Sequence, residues 1–413
     1  MPPRPRPRGR SDFEIAIICA LVHEANAIED AFDHIWEDED DFGYAPGDLN
    51  QYTTGMIGKH NVVLAYMPDM GSVSAANVAT SLAMSFSNIH LAIVAGICGG
   101  VPQPTNHDKE VFLGDLAIST AIVQYDFGRQ YPKGFEKKIG VLENASRPGR
   151  QLRAFINKMQ SRRYYQSMQQ DLVDIMGQLQ ELSPDVAYPG IESDMLFQPD
   201  FLHKHRSSGS LDCECGQGAE EICQAAHSLA CNALGCNGAT VNGRQRPRTS
   251  HLDLTPETHA PAIHFGTIGS ANTVMKSGRH REEVARAHGL IALEMEGAGI
   301  WETFPCCLVV KSVCDYADSH KNKIWQTYSA FIAAAGVKAL LRKWEPVKSE
   351  QEDSRRTLNK YWMVQRPIST RFTGRSAEMT KIQCCNWQIG SRDVCFIQRV
   401  TITDLSTVCA LTY

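Results

Sequence analysis

The chain has 413 residues, of which 43% are hydrophobic and 21% charged, with a net charge of −5, enough for one large domain with appendages or for two or three. The acidic balance excludes the broad basic field of a general nucleic-acid binder and leaves a small molecule or a protein as partner. No window reaches the roughly 18 consecutive apolar residues of a membrane span, and the start, MPPRPRPRGRSD, lacks the apolar run of a secretion signal, so a reduced cytoplasmic chain is expected.

Residues 1–12 read as a disordered Pro/Arg tail. From residue 13 short apolar runs alternate with amphipathic segments. A first strand is expected at 14–20 and a helix at 22–35, with Glu24 in its first turn. The acidic run 37–41 reads as a solvated loop. A strand at 61–66 and a helix at 73–87 follow. A strand at 90–95 leads into AIVAGICGGVP, where Gly96, Gly99 and Gly100 form a loop that lets backbone approach a ligand. That loop matches neither GxGxxG nor the phosphate-binding GKS/T pattern.

Further strands are expected at 114–123, 262–268, 291–296 and 307–313, with helices at 150–159, 169–182, 280–288, 298–304 and 325–344. Strands alternating with helices predict an α/β fold of three layers, α/β/α, around a central mixed, twisted sheet. Ligands of such sheets sit at the carboxyl ends of strands. The pattern breaks at about 188–261, a Cys/His-rich stretch too long for an ordinary loop and read as an insertion in a domain spanning 13–345.

The chain has 14 cysteines. Cys19, Cys98 and Cys314 lie in apolar runs, where a free thiol behaves as a small hydrophobe. Cys213, Cys215, Cys223, Cys231 and Cys236 crowd downstream of His203 and His205, at spacings that match no standard zinc pattern. A metal site, a reactive thiol and semi-buried cysteines all stay open; no metal ligand is assigned and no cofactor is expected.

Two acids stand in the otherwise apolar stretch LIALEMEGAGIW. On a strand, Glu294 and Glu296 would share a face, with Met295 on the other. Carboxylates at a strand's end suit the hydroxyls of a sugar, although either could equally serve a helix start. Asp315 ends the apolar run of LVVKSVCDYAD, where it is either a proton donor or a turn residue.

The order IAIICALVHE, MGSVSAANVAT, AIVAGICGGV, LGDLAIS, FGTIGSANTV, ALEMEGAG and VVKSVCDYAD resembles the purine nucleoside phosphorylase/uridine phosphorylase superfamily, and within it the 5′-methylthioadenosine/S-adenosylhomocysteine nucleosidases. The resemblance implies a phosphorylase/hydrolase-like fold that binds a purine nucleoside or nucleotide and forms homo-oligomers. It implies that Glu296 holds the ribose hydroxyls, Met295 packs on the sugar, Asp315 protonates the purine at N7 and Glu24 orients the attacking water. Glu294 is the less certain neighbour. The family's base-stacking position falls at Ser270–Thr273, where Ser270, Asn272 and Thr273 bring no aromatic ring. The insertion is absent from the compact bacterial nucleosidases.

Phosphorylases of this superfamily place arginines near the first strand and the glycine loop. Neither EIAIICALVHE nor AGICGGV contains one, so hydrolysis is preferred, with phosphorolysis as the alternative. Arg279, His280, Arg281, Lys311 and Lys321 are candidates to meet a 5′-phosphate chain, because related domains in immune receptors are implicated in cleaving adenine from ATP. Residues 346–383 resemble the linker and FTGR entry of the NB-ARC or NACHT modules of fungal NOD-like receptors. No P-loop follows. Residues 384–413 are expected to be a truncated or non-native tail, and a non-catalytic purine-sensing or oligomerisation module is the third reading.

Overall fold

The computed structural model describes residues 6–36, 42–105, 107, 109–132, 134–137, 148–184, 186–205, 225–236, 241, 244 and 260–345. The acidic run, the linker and tail at 346–413, and Cys213, Cys215 and Cys223 lie outside the described residues. Part of the expected amino-terminal tail is structured. Arg10–Asp12 forms a 3-10 turn, and the Arg8 N–H donates to Asp12 at 2.8 Å.

Strand β1 (Ile15–Cys19) is buried at every position, as a strand covered on both faces must be. It lies parallel to β4 (His60–Tyr66) on one side and to β5 (Leu91–Gly100) on the other. Outward from β4 come β3 (Gln51–Ile57) and β2 (His34–Ile35), both antiparallel. The helix expected through residue 35, α1 (Val22–Ala31), stops early because Phe32 turns to extended backbone and His34 joins β2.

On the other side, β5 continues to β11 (Cys307–Asp315), β6 (Leu116–Gln124), β9 (Ile263–Ser270) and β10 (Leu290–Glu294). A short hairpin, β7 (Gly128–Tyr131) with β8 (Gly134–Lys137), stands apart. The glycines of AGICGG are not a loop but the second half of β5, where Gly99 and Gly100 pair antiparallel with Leu293 and Ala292. That pairing closes β5, β11, β6, β9 and β10 into a ring, so half of the mixed sheet curls into a small barrel. Gly96, at φ 147°, lies between the residues of β5 that pair with β1 and those that pair with β10.

One helical layer is built on α7 (Gln326–Lys343), whose residues from Tyr328 to Leu341 are all buried. It packs on β5 and β11 and is covered by α1 and α4 (Arg162–Leu182), with α3 (Arg150–Gln160) against α4. Its alanine- and glycine-rich middle permits this close approach: a Cβ on Gly336 would meet Leu116 at 2.6 Å. The other layer holds α2 (Ser72–Ser85), α5 (Gly278–His288) and α6 (Gly297–Thr303). Gly299 lets α6 sit against the start of α2, since a Cβ there would come within 2.0 Å of the Ser72 carbonyl oxygen. Among the described residues no helix is long and apolar enough to cross a membrane.

Candidate active site

A cavity of about 660 Å³ opens beside the barrel, lined from the ends of β1, β6, β9, β10 and β11 and from Ile97–Gly99 of β5. Its floor holds three glutamates and one lysine. Glu24 is the third helical residue of α1, and its side chain reaches back to the helix start. Oε2 accepts from the N–H groups of Ala20 (3.0 Å) and Leu21 (2.9 Å), and Oε1 from Ile97 (2.7 Å). The Leu21 bond is the carboxylate half of a capping box. Only 2% exposed, Glu24 is far from the surface first-turn acid that its position alone implies. Burial raises its carboxyl above the usual range, against the pull of Lys311.

The β10 strand ends at Glu294, so Glu294 and Glu296 do not share a strand face as the two-residue period predicts. Glu296 begins α6 with helical backbone angles. The Glu294 carboxylate turns toward that helix start and accepts from Glu296 N (3.0 Å) and Gly297 N (2.9 Å). The helix-start role is therefore the one Glu294 fills. Burial, resisted by Lys311, raises its carboxyl.

Glu296 points the other way. Its Oε2 accepts from Lys311 Nζ at 2.6 Å and its Oε1 from Gly71 N at 3.4 Å. Burial pushes this carboxyl up, but the Lys311 ammonium and the Gly71 and Met295 N–H groups outweigh it and hold Glu296 below its ordinary range. Lys311 is 2% exposed. Burial disfavours its charge, yet Glu296, Glu24 and Glu294 together raise it above the ordinary lysine value. Lys311 is thus the internal cation of a carboxylate cluster and not a group free to meet phosphates.

Asp315 closes β11 and lines the same cavity. Its Oδ1 accepts from Ala317 N at 2.8 Å, and Lys321 Nζ stands 3.3 Å from Oδ2. Met295, Thr273, Gly99 and Lys321 also line the cavity. Four other expected binding residues face elsewhere. Gly96 gives its space to the Glu24 carboxylate, and Gly100 packs on Val313. Ser270 accepts from Ala298 N at 3.1 Å, and Asn272 ties the start of α2 to Asp126. Arg281 is buried and donates to the Tyr316 carbonyl, while Arg279 and His280 pair with Asp200 and Glu283 at the surface.

Sequence reasoning missed two parts of the wall. Tyr125, directly after β6, brings an aromatic ring into the cavity. Burial and the neighbouring Asp126 push its hydroxyl up to about 12. Ser228, Leu229 and Ala230 contribute from the Cys/His-rich stretch. Lys311 itself carried a signal: a lysine in the middle of CLVVKSVCD has to find a buried partner.

Residues 14–206 match the family model of the Phosphorylase superfamily. A nucleotide-binding leucine-rich repeat (NLR)-like protein of Hyaloscypha variabilis is 30% identical over 338 residues, 80% of this chain. The chain spans 29% of that relative's length. Among solved structures, futalosine hydrolase of Helicobacter pylori is similar at a TM-score of 0.45 and 16% identity, covering 81% of this chain and 99% of that one. The 5′-methylthioadenosine/S-adenosylhomocysteine nucleosidase of Neisseria meningitidis, in complex with methylthio-immucillin-A, gives 0.42 and 15%, covering 80% and 99%.

Proposed function

We propose that the chain hydrolyses the N-glycosidic bond of a purine nucleoside or nucleotide, releasing the free base, with adenine as the favoured base. The observation that carries this reading is the buried cluster of Glu24, Glu294 and Glu296 around Lys311, in one cavity with Asp315. Cleavage passes through an oxocarbenium-like state, in which positive charge develops on the sugar while the base leaves with an electron pair. The floor of the cavity, where Glu24, Glu294 and Glu296 surround Lys311, stabilises that charge as it forms.

Glu296, kept ionised by Lys311, accepts the ribose hydroxyls, and Met295 packs against the sugar. Glu24 takes a proton from water; its raised basicity suits it to that work near neutral pH. Asp315 delivers a proton to the departing base, with Lys321 beside it. Tyr125 and Thr273 lie where the base would contact the wall. Water is favoured over phosphate because the carboxylates of the floor repel an anion, and the three N–H groups nearest Glu24 already bind Glu24.

A nucleotide substrate is favoured by Lys276, Lys321 and Lys323, all of which line the cavity and could meet a 5′-phosphate chain. Sequence similarity to an NLR-like protein supports a place as the effector domain of a receptor. Incubation with ATP, adenosine and methylthioadenosine, with and without phosphate, tests the reading by the release of free adenine. Release without phosphate is expected. Strict phosphate dependence would make the enzyme a phosphorylase, and tight binding with no release from any of the three would leave a sensing module.

A further inference from the structure

The geometry points to a structural zinc site made by His203, Cys231, Cys236 and His320, which fastens the insertion to the segment carrying Asp315 and Lys321. All four residues are buried, Cys236 completely. The Nδ1 atom of His203 lies 3.7 Å from Cys231 Sγ and 3.8 Å from Cys236 Sγ. Bond lengths of zinc to imidazole nitrogen and thiolate sulfur set the N–S edge of a tetrahedral site at about 3.6 Å. The ligand atoms of His203, Cys236 and His320 also lie within 4.8 Å of one another.

The protonation state of His203 is set by its surroundings. Its Nε2 approaches the carbonyl oxygens of Ala226 (3.1 Å) and Leu229 (3.0 Å), and since carbonyls only accept, Nε2 carries the proton. The Nδ1 lone pair is then the one aimed at the two sulfurs. A ring nitrogen donating to backbone while the other faces a ligand set is the second-shell arrangement of a metal-bound histidine. His320 is held in a stack with Phe197 at 3.8 Å and Phe201 at 5.6 Å. The two cysteines are brought side by side by a turn in which Cys236 N donates to Cys231 O at 2.9 Å.

Two thiolates with two imidazoles select zinc and fill its four positions, as a structural rather than a catalytic site does. Binding would displace one proton from each thiol into solvent, giving a neutral centre of two thiolates and one Zn²⁺. The sequence hid this set because the histidines flank the cysteine pair at long and unequal distances. The site is also mechanically placed: His203 N donates to Ser319 Oγ at 3.0 Å, and the carbonyl of Leu229, a residue of the cavity wall, is bound by the His203 ring. Zinc here would cross-link the Ser228–Ala230 wall to the chain just after Asp315.

Elemental analysis of the full chain, purified under reducing conditions and then supplied with Zn²⁺ and freed of excess metal, tests the assignment. One zinc per chain is expected, bound as two sulfurs and two nitrogens by X-ray absorption. It should be lost in Cys236→Ser and in His203→Ala but kept in Cys19→Ser, a buried cysteine outside the cluster. Chelation should raise amide exchange at 226–230 at least tenfold while leaving β1 protected, a readout independent of any catalysis. Absence of stoichiometric zinc, its retention by both Cys236→Ser and His203→Ala, or a Cys231–Cys236 disulfide in the reduced preparation would overturn the proposal.

Discussion

Gly96 and Glu24 occupy what is in effect one space: a Cβ placed on Gly96 would lie 1.9 Å from Oε1 of Glu24. The glycine also sits at φ 147°, where side chains are rarely tolerated. Gly96→Ala should therefore displace the carboxylate from Ile97 N and cost about 1–3 kcal/mol by overpacking. Urea unfolding should register that loss, with adenine release falling further than stability alone accounts for. A variant with both unchanged would show that Glu24 is free to relocate.

Lys311 is an ammonium set among three buried glutamates, Glu24, Glu294 and Glu296. Lys311→Met removes the cation and leaves the carboxylates facing one another, and breaking a buried pair on one side costs about 3–5 kcal/mol. The variant should unfold at a markedly lower urea midpoint, and Lys311→Arg should recover part of the difference by keeping the charge. Equal stability of Lys311→Met and the parent would mean that the glutamates simply take up protons to compensate.

Most of the layer order was legible in the sequence, because runs such as IAIIC and CLVVKSV have the length and apolarity of covered strands. The β3 strand escaped because QYTTGMI alternates weakly and is only partly buried, next to the two-residue edge strand β2. The curl of the sheet escaped for another reason: the glycines of AGICGG have loop-like composition, and only their pairing with Leu293 and Ala292 makes them strand. At the site, Asp315 at the end of a strand and Glu24 in the first turn of α1 were legible, whereas the burial of Glu24 was not, because it depends on β5 packing over that helix start. The division of labour between Glu294 and Glu296 was not legible either, because it depends on where the strand stops. The His203 and Cys231 pairing spans too much chain for any local spacing to reveal it.

Opposite shifts of two glutamates give a pH signature. Burial raises Glu24 above the ordinary carboxyl value of 4.5, so it becomes a base only as pH climbs through its higher folded value. The acid limb of kcat/KM should have its midpoint above 4.5, and Glu24→Gln should lose most activity and flatten that limb. Glu296 is held below 4.5. A depressed carboxyl contributes stability that is full above its unfolded value and is lost as pH falls through its folded one. The stability gap between the parent and Glu296→Gln should therefore be widest near neutrality and narrow below 4.5. A gap that widens on acidification would contradict the Lys311–Glu296 pairing as its source.

Asp315 can be assigned its role by changing the leaving group instead of the enzyme. Against a purine nucleoside, Asp315→Asn should lower kcat by about 10²-fold or more, because a base departing without a proton leaves as a poor anion. A p-nitrophenyl riboside needs no such proton, so on that substrate the same variant should lose little. The contrast separates proton delivery from positioning: Ala317 N donates to Asp315 Oδ1 at 2.8 Å, and an asparagine oxygen can keep that bond, so the loop should hold its shape in the variant. Equal losses on both substrates would strip Asp315 of the acid role and leave it as a residue that orders the turn after β11.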